Sequence, residues 1–289
     1  MTHLSYIFHF AFLYIFHFSY LCSFFSTYPS MITTNVWLAY LLIIVGIMVW
    51  GALLPQGKKI SPKIMEWTTV FGGAFLFASC FINLVPHMFM GEAPYQFVTP
   101  GIHFKIAASV MAGFLIQLFL EHLTKGAEHG HNHCHQCEEH THTNHPVMGL
   151  LIGLSIHSFL EGMPMVDLDG DIHQGLLYGI VLHNIPIALV MISLFTNNRY
   201  SFSKSMLYLM IFAVMTPLGS LCNLLFIPKN EVLQSLIMGM VVGILLHVSV
   251  SILFDHDHNK FSWGKLLLIL VAFLAAYFTP GCPEIYPVF

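Results

Sequence analysis

The sequence predicts an all-α polytopic membrane protein, and three observations carry that expectation. Of 289 residues, 56% are hydrophobic and 8% charged, with a mean hydropathy of +0.75; a soluble domain carries about 25% charged residues. After Met31, eight apolar stretches can each cross a hydrocarbon layer, which takes roughly 20 helical residues for about 30 Å. Between them lie polar connections, none large enough to fold as a soluble domain. A net charge of −4 excludes an electrostatic nucleic-acid binder. The six cysteines are scattered, with only Cys134 and Cys137 at CxxC spacing, so no disulfide framework is expected. Histidine is the anomaly, with 19 residues against 10 Lys plus Arg.

Residues 1–30 form an aromatic-rich apolar extension closed by STYPS. No Lys or Arg precedes its apolar part, so it lacks the positive start of a secretory signal. It is read as a stretch upstream of a start at Met31, with an extra span or an interfacial segment as the alternatives. Spans 1 to 3 are expected near 33–54, 66–90 and 103–124, within a first membrane part, 31–124. The linker 125–146, KGAEHGHNHCHQCEEHTHTNHP, has no apolar periodicity. Spans 4 to 8 are expected near 147–166, 172–196, 205–227, 232–254 and 263–280, filling 147–289.

Cation placement predicts orientation, because cytoplasmic loops collect Lys and Arg. Loops after odd-numbered spans hold eight: Lys58, Lys59, Lys63, Lys125, Arg199, Lys204, Lys260 and Lys265. Even-numbered loops hold only Lys105 and Lys229, and the loop after span 4 is acidic (Asp167, Asp169, Asp171). Odd loops and the histidine linker are therefore expected inside, with both termini outside. The membrane would be the cell membrane, or the inner membrane were the chain bacterial.

Span 4, MGLLIGLSIHSFLEGMPMV, carries His157 and Glu161 one helical turn apart on one face. Glu161 is the sole carboxylate well inside a hydrophobic span. A charge at that depth costs at least ~2.5 kcal/mol, so it is normally paired, metal-bound or facing a watery path. Span 5, GIVLHNIPIALVM, places His183 and Asn184 before Pro186, as His157 and Glu161 precede Pro164. Each proline is expected to kink its helix and free the carbonyl of Leu160 or Leu182. Interrupted helices with polar residues at mid-membrane mark transporter substrate sites. Two imidazoles and a carboxylate suit zinc, and also iron, manganese or cobalt; the bland alternative is interhelical hydrogen bonding.

Span 2 adds Asn83 and His87, four residues apart around Pro86, which could face a common pore. In span 6, Thr216 and Asn223 read as packing residues, and His247 of span 7 reads as a packing residue too. The tract Asp255–His258 is read as solvated charge. The linker offers His129, His131, His133, Cys134, His135, Cys137, His140, His142 and His145, a composition suited to labile metal binding.

These residues resemble the ZIP (Zrt-/Irt-like) family of metal-ion transporters. The matches are HSFLEG at 157–162, HNIPIA at 183–188, GGAFLFASCFINLVPH in span 2, TPLG in span 6, eight spans and a His-rich loop between spans 3 and 4. The resemblance implies divalent metal uptake toward the cytoplasm by an elevator-like or rocking change, with a transport site between spans 4 and 5 helped by span 2. Carried over by position, His157, Glu161 and His183 are ligands of one metal, with Ser158, Asn184, Asn83 and His87 beside them. The chain departs from the family pattern in four places. Ile187 stands where many members have an acid, Ser158 where Asn or Asp is common, Thr216 where two-metal members have an acid, and Asn83 with His87 where His then Glu is usual. A second adjacent metal is therefore not expected, although branches with HSxxEG and no acid in span 5 exist.

The function expected is import of zinc, iron or manganese as substrate, with no prosthetic group and with the bilayer as partner; a homodimer stays open. The competing readings are an intramembrane zinc hydrolase and a metal-sensing scaffold, the latter prompted by Ile187 and Ser158. Neither HExxH nor a second carboxylate placed as a general base supports hydrolysis. Eight spans rather than six, and no large soluble C-terminal metal domain, argue against a cation-diffusion exporter.

Overall fold

A computed structural model describes residues 32–53, 61–89, 101–124, 145–167, 170–228, 230–254 and 263–279. The extension 1–30, the linker ligands from His129 to His142 and the Asp255–His258 tract lie outside the described residues, and the His145 side chain is likewise not described. Span 1 is Ile32–Ala52, and span 2 runs as Pro62–Ser79, a π-helical turn Cys80–Leu84 and Val85–Phe89. Span 3 is Ile102–Thr124, span 4 is His145–Gly162 with a 3₁₀ turn Met163–Met165, and span 5 is Gln174–Asn197. Spans 6, 7 and 8 are Phe202–Phe226, Glu231–Phe254 and Trp263–Phe278. Seven of these are long and apolar enough to cross a membrane, and span 8 is a shorter apolar helix. The chain is an all-α, multi-pass membrane protein.

Lipid tails are as apolar as leucine, so helices in a membrane associate through close packing and polar contacts. Small residues decide who meets whom. Spans 3 and 7 form a close pair because Gly113 lies against the Met240 carbonyl and Gly243 against that of Val110, where any Cβ would collide. Spans 4 and 6 repeat the device, with Gly162 against the Thr216 carbonyl and Gly219 against that of Phe159. The Tyr40 hydroxyl donates to Ser220 at 2.9 Å and ties span 1 to span 6. Span 5 takes the centre, with 83% of its apolar window buried against 22% for span 3.

The prolines act differently from one another. Pro186 lies inside an unbroken span 5. The carbonyl four residues earlier, Leu182, faces span 2, where a side chain on Gly72 would come within 3.3 Å of it. Pro164 does not kink span 4 at mid-membrane, as the sequence suggested. The α-helix stops at Gly162 and Pro164 sits in the terminal 3₁₀ turn at φ −88°, ψ 16°. A proline this near a helix end meets no further turn to bend, so it terminates the span.

Candidate metal site

Span 4 delivers His157 and Glu161 to the interior of the bundle, and the i,i+4 spacing brings Nε2 to 3.5 Å from Oε2. Span 5 delivers His183, whose ring lies 5.9 Å from that of His157, centroid to centroid, at 73°. All three are at most 2% exposed, and Ser158 and Asn184 beside them are fully buried. Among the described residues, both Glu161 oxygens, the Ser158 hydroxyl, both polar atoms of the Asn184 amide and the Thr216 hydroxyl have no hydrogen-bond partner. Buried polar atoms are nearly always paired, so this concentration needs an explanation beyond packing.

One residue that the motifs did not single out belongs here. Gln117 of span 3 is 1% exposed, and its Oε1 lies 2.9 Å from Nδ1 of His157. An amide oxygen only accepts, so this contact puts the imidazole proton on Nδ1 and turns the Nε2 lone pair toward Glu161. The available signal was an amide inside an apolar helix, one turn before Glu121. Glu121 itself pairs with His247 of span 7 at 3.4 Å, and the His247 ring packs edge-on against Phe114, 4.7 Å away. Asn223 is a packing residue: its Nδ2 donates to the Met163 carbonyl at 2.8 Å and to Gln234 Oε1 at 3.0 Å.

Asn83 and His87 both turn toward the start of span 5, Asn83 against Gly175 and His87 against His173. The π-turn Cys80–Leu84 adds a residue to the turn just before His87. Asn83 donates to the Ser79 hydroxyl at 3.2 Å, Ser79 donates to the Gly175 carbonyl at 2.9 Å, and the Asn83 side chain fills the space a Cβ on Gly175 would need. His87 meets the connection between spans 4 and 5. Its Nε2 is 3.5 Å from Asp167 Oδ2, and its ring stands edge-on to that of His173 at 4.2 Å. His173 Nε2 is 3.7 Å from the same Asp167 oxygen. Burial, then the neighbouring His87, pushes His173 down to about 4 against the opposing pull of Asp167. Among the described residues, these three make a set of His and Asp ligand atoms all within 4.8 Å of one another, which His157, Glu161 and His183 do not.

A family model described as ZIP zinc transporter matches residues 126–278, more than half of the chain. The chain belongs to the ZIP zinc transporter family. Protein zntD of Dictyostelium discoideum is 30% identical over 162 residues, covering 50% of this ZIP chain and 24% of that protein. Zinc transporter ZIP1 of Danio rerio is 22% identical over 265 residues, covering 77% of this chain and 85% of that protein. The match to zntD thus spans about a quarter of that protein's length. The family match contains span 4, span 5 and all of the paired motifs HSFLEG and HNIPIA.

Proposed function

We propose that this ZIP-family chain imports zinc, or a similar divalent cation such as iron or manganese, into the cytoplasm by alternating access. Membership of the family and the zinc-transporter names of its relatives support divalent metal transport. One observation carries the assignment of the site. The only carboxylate well inside a span, Glu161, lies buried with two imidazoles, and its oxygens, like the Ser158, Asn184 and Thr216 polar atoms, have no hydrogen-bond partner among the described residues.

The geometry supports one mid-membrane metal held by His157, Glu161 and His183. Metal bonds of ~2.1 Å at tetrahedral angles separate two ligand atoms by ~3.4 Å, close to the 3.5 Å between His157 Nε2 and Glu161 Oε2. Two imidazoles on one such metal have ring centroids about 5 Å apart, so the 5.9 Å observed closes with a small side-chain adjustment. Ser158 and Asn184 complete the wall, and Ile187 and Thr216 supply no second charge. Neutral ligands with one carboxylate leave net positive charge on the bound complex, which favours release over trapping. The metal approaches from the acidic 166–173 loop and leaves toward the linker histidines.

The test is uptake of radioactive zinc, iron and manganese into proteoliposomes containing the unmodified chain or Glu161→Gln. Uptake that disappears in the variant supports the reading. Undiminished uptake in both Glu161→Gln and His157→Ala removes it.

A further inference from the structure

We infer that His87, Asp167 and His173 form a second divalent-metal site, at the end of the bundle where spans 2, 4 and 5 meet. This site is separate from the mid-membrane ligands and does not rest on the import reading. His173 is the residue just before span 5, ten positions before His183, so the two sites lie about 15 Å apart along the helix axis.

Three pieces of local structure build the site. The chain between spans 4 and 5 folds back on itself, with Val166 bridged antiparallel to Ile172. The Asp167 amide donates to the Asp171 carbonyl at 2.8 Å, and the His173 amide to that of Met165 at 3.0 Å. Side chains alternate across an extended strand, so Asp167 and His173 project on the face opposite Val166 and Ile172, as diagonal neighbours. Gly170 closes the turn at φ 87°, a left-handed conformation that a side chain would strain. The π-turn of span 2 and the Ser79–Gly175 hydrogen bond then bring His87 over this hairpin.

The chemistry is that of a transition-metal site. Both His Nε2 atoms converge on a single carboxylate oxygen, at 3.5 and 3.7 Å. Those separations exceed the usual 2.7–3.2 Å of an N–H···O hydrogen bond and approach the ~3.4 Å edge of a tetrahedral zinc site. Two neutral nitrogens and one carboxylate select zinc or a neighbouring transition ion over calcium or magnesium, which prefer all-oxygen shells. His173 is nearly buried, while Asp167 and His87 are 27% and 30% exposed. A metal can therefore reach the site from solvent and exchange there.

The purified 289-residue chain is equilibrated with buffered free zinc, and bound zinc per chain is measured by elemental analysis. The linker contributes the same background in every variant. His173→Ala and the near-isosteric Asp167→Asn should each lose a single equivalent relative to the unmodified chain. Zinc should also slow carbethoxylation of His87, read by mass spectrometry, in both the unmodified chain and Glu161→Gln. Unchanged zinc content in both hairpin variants overturns the site, as does zinc-independent modification of His87 in the unmodified chain. Loss of His87 protection in Glu161→Gln overturns its independence from the mid-membrane ligands. Protection that persists in an unmodified chain that takes up no zinc, iron or manganese removes the importer and leaves this site standing.

Discussion

Replacing Gln117 with Leu should weaken zinc uptake without touching any group proposed to contact the metal. The amide oxygen lies 2.9 Å from His157 Nδ1, and both side chains are about 1% exposed. Removing it leaves the Nδ1 proton unsatisfied at ~1–3 kcal/mol, or drives the proton to Nε2 and cancels the ligand. Loss of an outer partner to a metal-bound histidine typically costs 10–100-fold in affinity or activity. That corresponds to about 1.4–2.8 kcal/mol, so the two routes agree. The assay is the zinc dependence of radiotracer uptake into proteoliposomes, with KM expected to rise roughly 10–100-fold. Gln117→Glu should stay near the unmodified chain, because a carboxylate accepts the same proton. An unchanged KM in Gln117→Leu would refute the argument, and so would Gln117→Glu failing as badly as Gln117→Leu.

Other outcomes follow from the same geometry. His157→Ala and Glu161→Gln should each abolish cellular zinc accumulation at normal expression, measured by tracer uptake alongside surface abundance. Gly113→Ala should lower the melting temperature in detergent, because its Cβ meets the Met240 carbonyl and overpacking costs about 1–3 kcal/mol or more. Gly149→Ala has nothing within 4 Å of the new Cβ among the described residues. It should melt no lower than the unmodified chain, since alanine is favoured in helices by up to ~1 kcal/mol. Lys265→Ala breaks an ion pair to Glu66 whose partners are 39% and 44% exposed. The expected loss is under ~1 kcal/mol, and a larger drop in the same melt would mean that this pair docks span 8 onto span 2.

The candidate site was legible in parts. His157 and Glu161 could be placed together because an uninterrupted helix makes i,i+4 spacing into contact. Between Asn83 and His87 the same rule meets a π-turn that no residue in FINLVPH signals, and His87 joins Asp167 and His173. Pro164 was expected to kink a helix that in fact ends there, because proline has the same local chemistry in both settings. Gln117, Asp167 and His173 were reachable by composition alone as polar residues in or beside apolar spans. Their partners sit 40, 80 and 86 positions away, His157 for the first and His87 for the other two, and local pattern carries no information at that range.

Composition and hydropathy by themselves determined that this is an all-α membrane protein, where its spans lie to within a few residues, and which motifs to compare with a transporter family. Those properties follow from transfer of apolar side chains and backbone into lipid, an energy summed residue by residue along the chain. Tertiary structure alone decided which helices touch, because that depends on glycines meeting carbonyls of distant spans. It likewise decided that His87 joins Asp167 and His173 while Gln117 orients His157, since convergence of side chains is set by packing rather than by order in the sequence.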